Sequence, residues 1–270
     1  MISSRVSDLF KDLRKANKPA LITYITAGFP NQNLCQDILN QMSESGSDII
    51  ELGMPFSDPM ADGPIIQESS KLVLDNNHTM KMTFDLVEGF RKKNSKTPII
   101  LMGYYNPIYQ FGSEEFLNEC KKYNIDGLII VDLPPEHDDE LCDLAIYLGI
   151  DFIRMITPTT NKDRLKKVLD KSSGFLYYVS VMGITGTKRP DLEILENQVK
   201  DLKKFTELPV AVGFGIKESN QAERISKFSD AIVIGTAFIE IIMQSYKNNE
   251  SNNSIIGKAS DYIRNIKSAL

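Results

Sequence analysis

The chain has 270 residues, 42% of them hydrophobic and 25% charged, with a formal net charge of -5. This length can bury one sizeable core and suits a single α/β barrel as well as two smaller domains. A net-acidic chain repels a polyanion, and no apolar run approaches the roughly 20 residues that span a bilayer, so nucleic-acid and membrane-spanning roles drop out.

The N-terminal stretch MISSRVSDLFKDLRKANKP places Val6, Leu9, Phe10 and Leu13 at helical spacing. It carries Asp8 and Asp12 and has no apolar signal core or small-residue cleavage site, so it reads as a packing helix. The expected setting is soluble and cytoplasmic, with an organellar stroma left open. Eight short, β-branched apolar runs follow: ALITYIT, SDIIEL, PIILMGY, DGLIIVDL, DFIRMIT, FLYYVSV, PVAVGFG and DAIVIGT. Each is bounded by Gly, Pro or Asp and is followed by a stretch of helical period such as LCQDILNQM. Near-continuous apolar strands are buried on both faces, which calls for a parallel sheet covered by helices.

Eight such units predict a single (β/α)8 TIM barrel with an extra N-terminal helix, one domain over residues 1–270. The competitor is an open, doubly wound sheet. Against it, the first strand runs into Thr26-Ala27-Gly28-Phe29-Pro30, where a dinucleotide fold would carry GxGxxG. The polar SYKNNESNNS leads into a last packing helix. Cys35, Cys120 and Cys142 are odd in number and show no ligand spacing, so they read as buried thiols in a reducing compartment, with neither disulfide nor metal site. His78 and His137, the only histidines, read as solvated or capping residues.

In a barrel every strand end points to one face. The run ELGMPFSDPMADGPIIQ, residues 51–67, closes the second strand with Glu51 and opens a loop holding Asp58 and Asp62. A carboxylate at the barrel mouth is pushed toward a raised pKa by apolar walls, which suits proton transfer; the plainer readings are a strand-end carboxylate facing water and, for Asp62-Gly63, a turn former. Tyr105, Asn106 and Pro107 form the loop after the third strand, and Asp132 to Pro135 the loop after the fourth. Tyr177, in the sixth strand, is core or wall, or a hydroxyl that orients Glu51. Gly213 and Gly215 end the seventh strand and Gly235 and Thr236 the eighth. With Gly186 they form a candidate phosphate cup, because glycines let backbone N–H groups converge on an anion beside a helix N-terminus.

At these residues the chain resembles the α subunit of tryptophan synthase. The likeness runs through residues 51–67, Tyr24 to Gly28, LMGYYNP, DGLIIVDLPPEH, SVMGITGTK, VGFGI and IGTAF, essentially the whole chain. The resemblance implies a lyase that splits indole-3-glycerol phosphate into indole and glyceraldehyde 3-phosphate. By similarity Glu51, Asp62 and Tyr177 are the catalytic set, Tyr177 also lining the indole slot. Tyr24, Ile66, Met102, Ile129, Val131 and Phe214 line the indole slot, and Gly186, Gly213, Gly215, Gly235 and Thr236 hold the phosphate. Thr185 closes a loop hinged at Gly183 and Gly186. Pro55, Asp58, Asn106, Asp132 and Pro134 face a β subunit in an α2β2 heterotetramer. No cofactor is expected in this chain; pyridoxal phosphate belongs to that partner. The alternatives are a free-standing lyase, a non-catalytic barrel that activates a partner, and another phosphate-binding barrel enzyme, which would need a strand-end lysine where this chain has only Lys188 in a loop.

Overall fold

The computed structural model describes residues 4–179, 192–213 and 215–270. The first element, α1 (Arg5–Lys15), is capped by Ser4. Then come β1 (Ala20–Thr26), α2 (Gln32–Glu44), β2 (Ile49–Gly53), α3 (Pro64–Asp75), α4 (Met80–Arg91), β3 (Ile99–Gly103), α5 (Tyr105–Phe111), α6 (Ser113–Lys122) and β4 (Gly127–Ile130). The second half holds α7 (Asp139–Tyr147), β5 (Asp151–Phe152), β6 (Arg154–Ile156), α8 (Lys162–Asp170), β7 (Leu176–Val179), α9 (Leu192–Leu202), β8 (Val210–Gly213), α10 (Ser219–Ser226), β9 (Ala231–Ile234), α11 (Thr236–Lys247) and α12 (Asn252–Lys267).

All strand pairs are parallel, in the order β5-β4-β3-β2-β1-β9-β8-β7-β6. The two ends of this order, β5 and β6, are halves of one strand interrupted only at Ile153, so the sheet closes into the expected barrel. DFIRMIT was one strand by pattern; it divides where pairing passes from β4 to β7, with the Ile153 N–H still bonded to the Leu128 carbonyl. The segment from Tyr105 to Pro107 is the start of helix α5 rather than a loop. Pro107 lies in its first turn, where a missing N–H costs nothing, and the Asp132 carboxylate accepts the Tyr105 N–H at 2.8 Å.

Side chains alternate across the strands. Ala20, Ile22, Ile49, Ile100, Ile129, Ile153, Phe175, Ala211, Ala231 and Val233 fill the barrel, and α1 closes its base with Val6 and Phe10. The Phe10 and Phe175 rings meet at 5.9 Å. Leu21, Ile25, Ile50, Leu52, Leu101 and their outward neighbours pack against the helices.

The base carries a repeated device. The aspartate just before β2, β4 or β9 accepts the N–H near the start of the preceding strand: Asp48 from Leu21 at 2.6 Å, Asp126 from Ile99 at 2.8 Å, Asp230 from Val210 at 2.8 Å. Each aspartate also meets a cation, Lys267 at 2.6 Å, Arg5 and Arg91 at 2.7 and 2.6 Å, and Lys203 at 2.8 Å. Asp126 is the most deeply buried of the three. Removing one side of a buried ion pair strands the other, so Asp126→Ala should lower unfolding free energy by about 3 kcal/mol, read from urea unfolding.

All three cysteines are buried and free. His137 is exposed. His78 departs from the solvated reading: its ring packs over Gly28, where a Cβ would stand 2.5 Å from Nδ1, and Nε2 lies 2.9 Å from the Thr83 hydroxyl. Burial lowers its pKa to about 4, so it stays neutral. Among the described residues no helix is long and apolar enough to cross a membrane.

Candidate active site

The inward face of β2 presents residues 49, 51 and 53 in sequence, so Glu51 stands one layer above Ile49 inside the barrel. It lies within the strand, which runs on to Gly53, and is completely buried. Its register partners are Tyr24 on β1 and Ile100 on β3. Neither carboxyl oxygen has a hydrogen-bond partner among the described residues. Burial without compensation disfavours the charged form, and the pKa rises from an ordinary 4.5 to about 8. Glu51 therefore rests as a neutral acid at physiological pH, which overturns the reading of a carboxylate facing water.

Asp62 sits in the loop between β2 and α3. That loop is built from its own bonds: the Asp62 N–H reaches the Pro59 carbonyl at 3.1 Å, and the Gln67 side chain donates to the Asp62 carbonyl at 2.9 Å. Burial raises the Asp62 pKa to about 6, opposed by a hydrogen bond from the Tyr104 hydroxyl, which favours the ionised form. The same Tyr104 oxygen accepts the Ala61 N–H at 3.0 Å, and its ring lies 5.4 Å from that of Phe56. Tyr104 was not among the residues read from the sequence. Its position, the first tyrosine past the end of β3, was the available signal.

The two carboxyls thus differ in environment: Glu51 is held neutral by a dry wall, and Asp62 is held closer to ionisation by a phenol. A pair of titratable groups pushed apart in this way divides acid work from charge stabilisation.

Tyr24 and Tyr177 are each seated in the room left by a glycine. A Cβ on Gly53 would overlap the Tyr24 hydroxyl, and one on Gly213 would stand 2.6 Å from the Tyr177 hydroxyl. Gly213, read as part of a phosphate cup, therefore has a packing reason of its own. Gly215 has φ +60 and open space where a Cβ would project, while Gly235 caps α11 and Thr236 opens it.

Met102, Ile129 and Tyr177 join the inner group, together with Met155, which pairs in register with Tyr177 and was missed in the sequence. Tyr24 and Ile66 pack against the outer core at the rim. Val131 follows β4 and bonds the Gly103 carbonyl. Pro55, Asp58, Asn106, Asp132 and Pro134 lie on consecutive mouth segments after β2, β3 and β4. Beside them Met60 and Tyr109, also missed, are 74% and 59% exposed. Gly183, Thr185, Gly186, Lys188 and Phe214 lie outside the described residues.

The sequence profile of the tryptophan synthase alpha chain family matches residues 10–269. The chain belongs to that family. Tryptophan synthase alpha chains are indole-3-glycerol phosphate lyases of tryptophan biosynthesis, and this chain is one of them. It is similar to the tryptophan synthase subunit alpha of Legionella pneumophila str. Paris, with 34% identity, 99% of this chain and 98% of that one covered, and a TM-score of 0.92. A second alpha chain structure, from Legionella pneumophila subsp. pneumophila, shows 32% identity, coverages of 99% and 97%, and a TM-score of 0.91. A chain of the Mycobacterium tuberculosis tryptophan synthase structure shows 26% identity, coverages of 99% and 98%, and a TM-score of 0.88.

Proposed function

We propose that Glu51 and Asp62 carry the cleavage of indole-3-glycerol phosphate, with Glu51 moving protons and Asp62 supplying charge. An indole ring is a poor leaving group while its π system is intact. The protonated Glu51 carboxyl gives its proton to ring carbon C3, and the ring becomes an indolenine cation. Asp62 accepts the ring N–H and stabilises that cation. The Glu51 carboxylate so formed then takes the proton of the C3′ hydroxyl. The electrons of that O–H bond become the aldehyde C=O, and those of the breaking carbon–carbon bond return to the ring. Indole and glyceraldehyde 3-phosphate leave, and Glu51 is again protonated. The sequence needs no electron sink beyond the ring, in keeping with a family that is typically cofactor-free.

The reading rests most on one observation: a fully buried glutamic acid at the barrel mouth with no hydrogen-bond partner among the described residues, at the same mouth as a second carboxyl held by a phenol. Tyr177 bounds the slot beside Glu51, with Tyr24, Met102, Ile129 and Val131 as its apolar wall and Ile66 at the rim. The phosphate is assigned to Gly215, Gly235 and Thr236, where α11 offers its first N–H groups; by family resemblance Gly213 and Gly186 belong to the same cup, Phe214 to the indole slot and Thr185 to loop closure. Pro55, Asp58, Asn106, Asp132 and Pro134 form the docking face for a β subunit, which holds pyridoxal phosphate and consumes indole. The exposed Met60 and Tyr109 extend that face with apolar surface.

The purified chain should release indole from indole-3-glycerol phosphate. Its kcat/KM should follow a bell in pH, rising through about 6 as Asp62 ionises and falling through about 8 as Glu51 loses its proton. A β subunit should co-elute and raise the rate. Absence of indole release would sink the assignment; indole release without co-elution would make the chain a free-standing lyase.

A further inference from the structure

At the barrel mouth the surroundings of the Tyr24 phenol fix the direction of its proton. Its stem passes Gly235, where a Cβ would stand 3.3 Å from the Tyr24 Cβ, and its hydroxyl lies on the inward side of Gly53. Residues 51 and 53 share a strand face, so that hydroxyl occupies the layer above Glu51.

A run of hydroxyls leads away from it. Tyr24 Oη lies 3.4 Å from Thr26 Oγ1, Thr26 Oγ1 lies 2.6 Å from Ser69 Oγ, and Ser69 Oγ donates to the Ile66 carbonyl at 2.7 Å in the first turns of α3. Each hydroxyl has one proton, and the run ends on a carbonyl, which can only accept. Ser69 therefore spends its proton on Ile66, Thr26 gives its own to Ser69, and Tyr24 can bond Thr26 only as the donor. The first link is long, and its sense is set by the shorter links beyond it. The Tyr24 proton is thus turned out of the mouth, and the oxygen lone pairs are left toward the slot. Burial and the neighbouring Asp62 and Glu51 hold the phenol neutral, so it does not add a charge there.

We propose that Tyr24 Oη is a specificity-determining acceptor that takes a hydrogen bond from a hydroxyl of the substrate's glycerol chain. The ring N–H is assigned to the charged Asp62, a stronger acceptor. The chain between ring and phosphate must pass between the Glu51 layer and the α11 N-terminus, and Tyr24 touches both ends of that path, its hydroxyl at Gly53 and its stem at Gly235. This inference rests on the substrate assignment above.

The test is Tyr24→Phe, which keeps the ring and its seat on Gly53. Two quantities are measured on wild type and variant: kcat/KM for indole-3-glycerol phosphate, and the inhibition constant of 3-(indol-3-yl)propyl phosphate, which has the same ring and phosphate and no hydroxyls. The variant should lose about tenfold in kcat/KM, the scale of one neutral hydrogen bond, while its inhibition constant changes by less than about twofold. Equal weakening of both would mean that Tyr24 only shapes the slot, and an unchanged kcat/KM would mean that the hydroxyl meets no substrate donor; either result overturns the proposal. Failure of the wild type to release indole would instead overturn the substrate assignment itself.

Discussion

Glu51→Gln is expected to reduce indole release by about three orders of magnitude, within the range for loss of a positioned general acid and base. The amide is nearly isosteric and neutral, as the acid is at pH 7, so the barrel should fold unchanged. It can neither give a proton to C3 nor take one from the hydroxyl, and both steps of the cleavage are lost together. The same variant should differ from wild type in how stability depends on pH. The unfolded chain ionises this carboxyl above the ordinary 4.5, whereas the folded chain keeps it protonated up to about 8. Between these values the unfolded state binds fewer protons, so the carboxyl's contribution is fully present below 4.5 and is lost by about pH 8. Wild type should therefore fall relative to Glu51→Gln by a few kcal/mol across that window. Urea unfolding of both proteins at pH 5 and pH 8 measures this difference. Parallel behaviour of the two would show that Glu51 titrates as an ordinary carboxyl.

Asp62→Asn should cost about two to three orders of magnitude in kcat/KM, the scale for removing a group aimed at charge that develops in the transition state. Its signature separates it from Glu51→Gln. The wild-type rise in kcat/KM through about pH 6 belongs to Asp62 ionising, so the asparagine variant should lose that limb and keep the fall near 8. Tyr104→Phe should leave the limb in place and move it upward, because the phenol favours the ionised carboxylate. A rate profile of Asp62→Asn that still rose through pH 6 would assign that limb to another group.

Much of this arrangement was legible in the chain. Buried β-branched runs punctuated by Gly, Pro and Asp located every strand, because strands covered on both faces leave no polar alternation to confuse the pattern. The break at Ile153 was not legible, since it depends on which neighbour each half pairs with. Glu51 stood out, but it looked like the end of its strand because Gly53 and Pro55 read as punctuation. In the barrel Gly53 is the last strand residue, and its missing side chain makes room for a tyrosine from β1. Gly213 showed only part of its use: a glycine at a strand end suggested an anion, while the ring it also accommodates lies one strand away on β7. Tyr104 was passed over beside Tyr105 because its partners, Ala61 and Asp62, come from a loop some forty positions earlier. Residues with a chemical type suited to the reaction were visible; those whose use depends on a distant neighbour were not.

The seating of Tyr24 on Gly53 and of Tyr177 on Gly213 also sets an order for sequence drift. Shrinking either tyrosine leaves a gap that a lineage can carry for a time. Adding a methyl to either glycine first drives it into the ring seated there, which must then shift. Divergence at each pair therefore has a one-way gate: the aromatic partner changes before the glycine, and lineages that hold both tyrosines should hold both glycines.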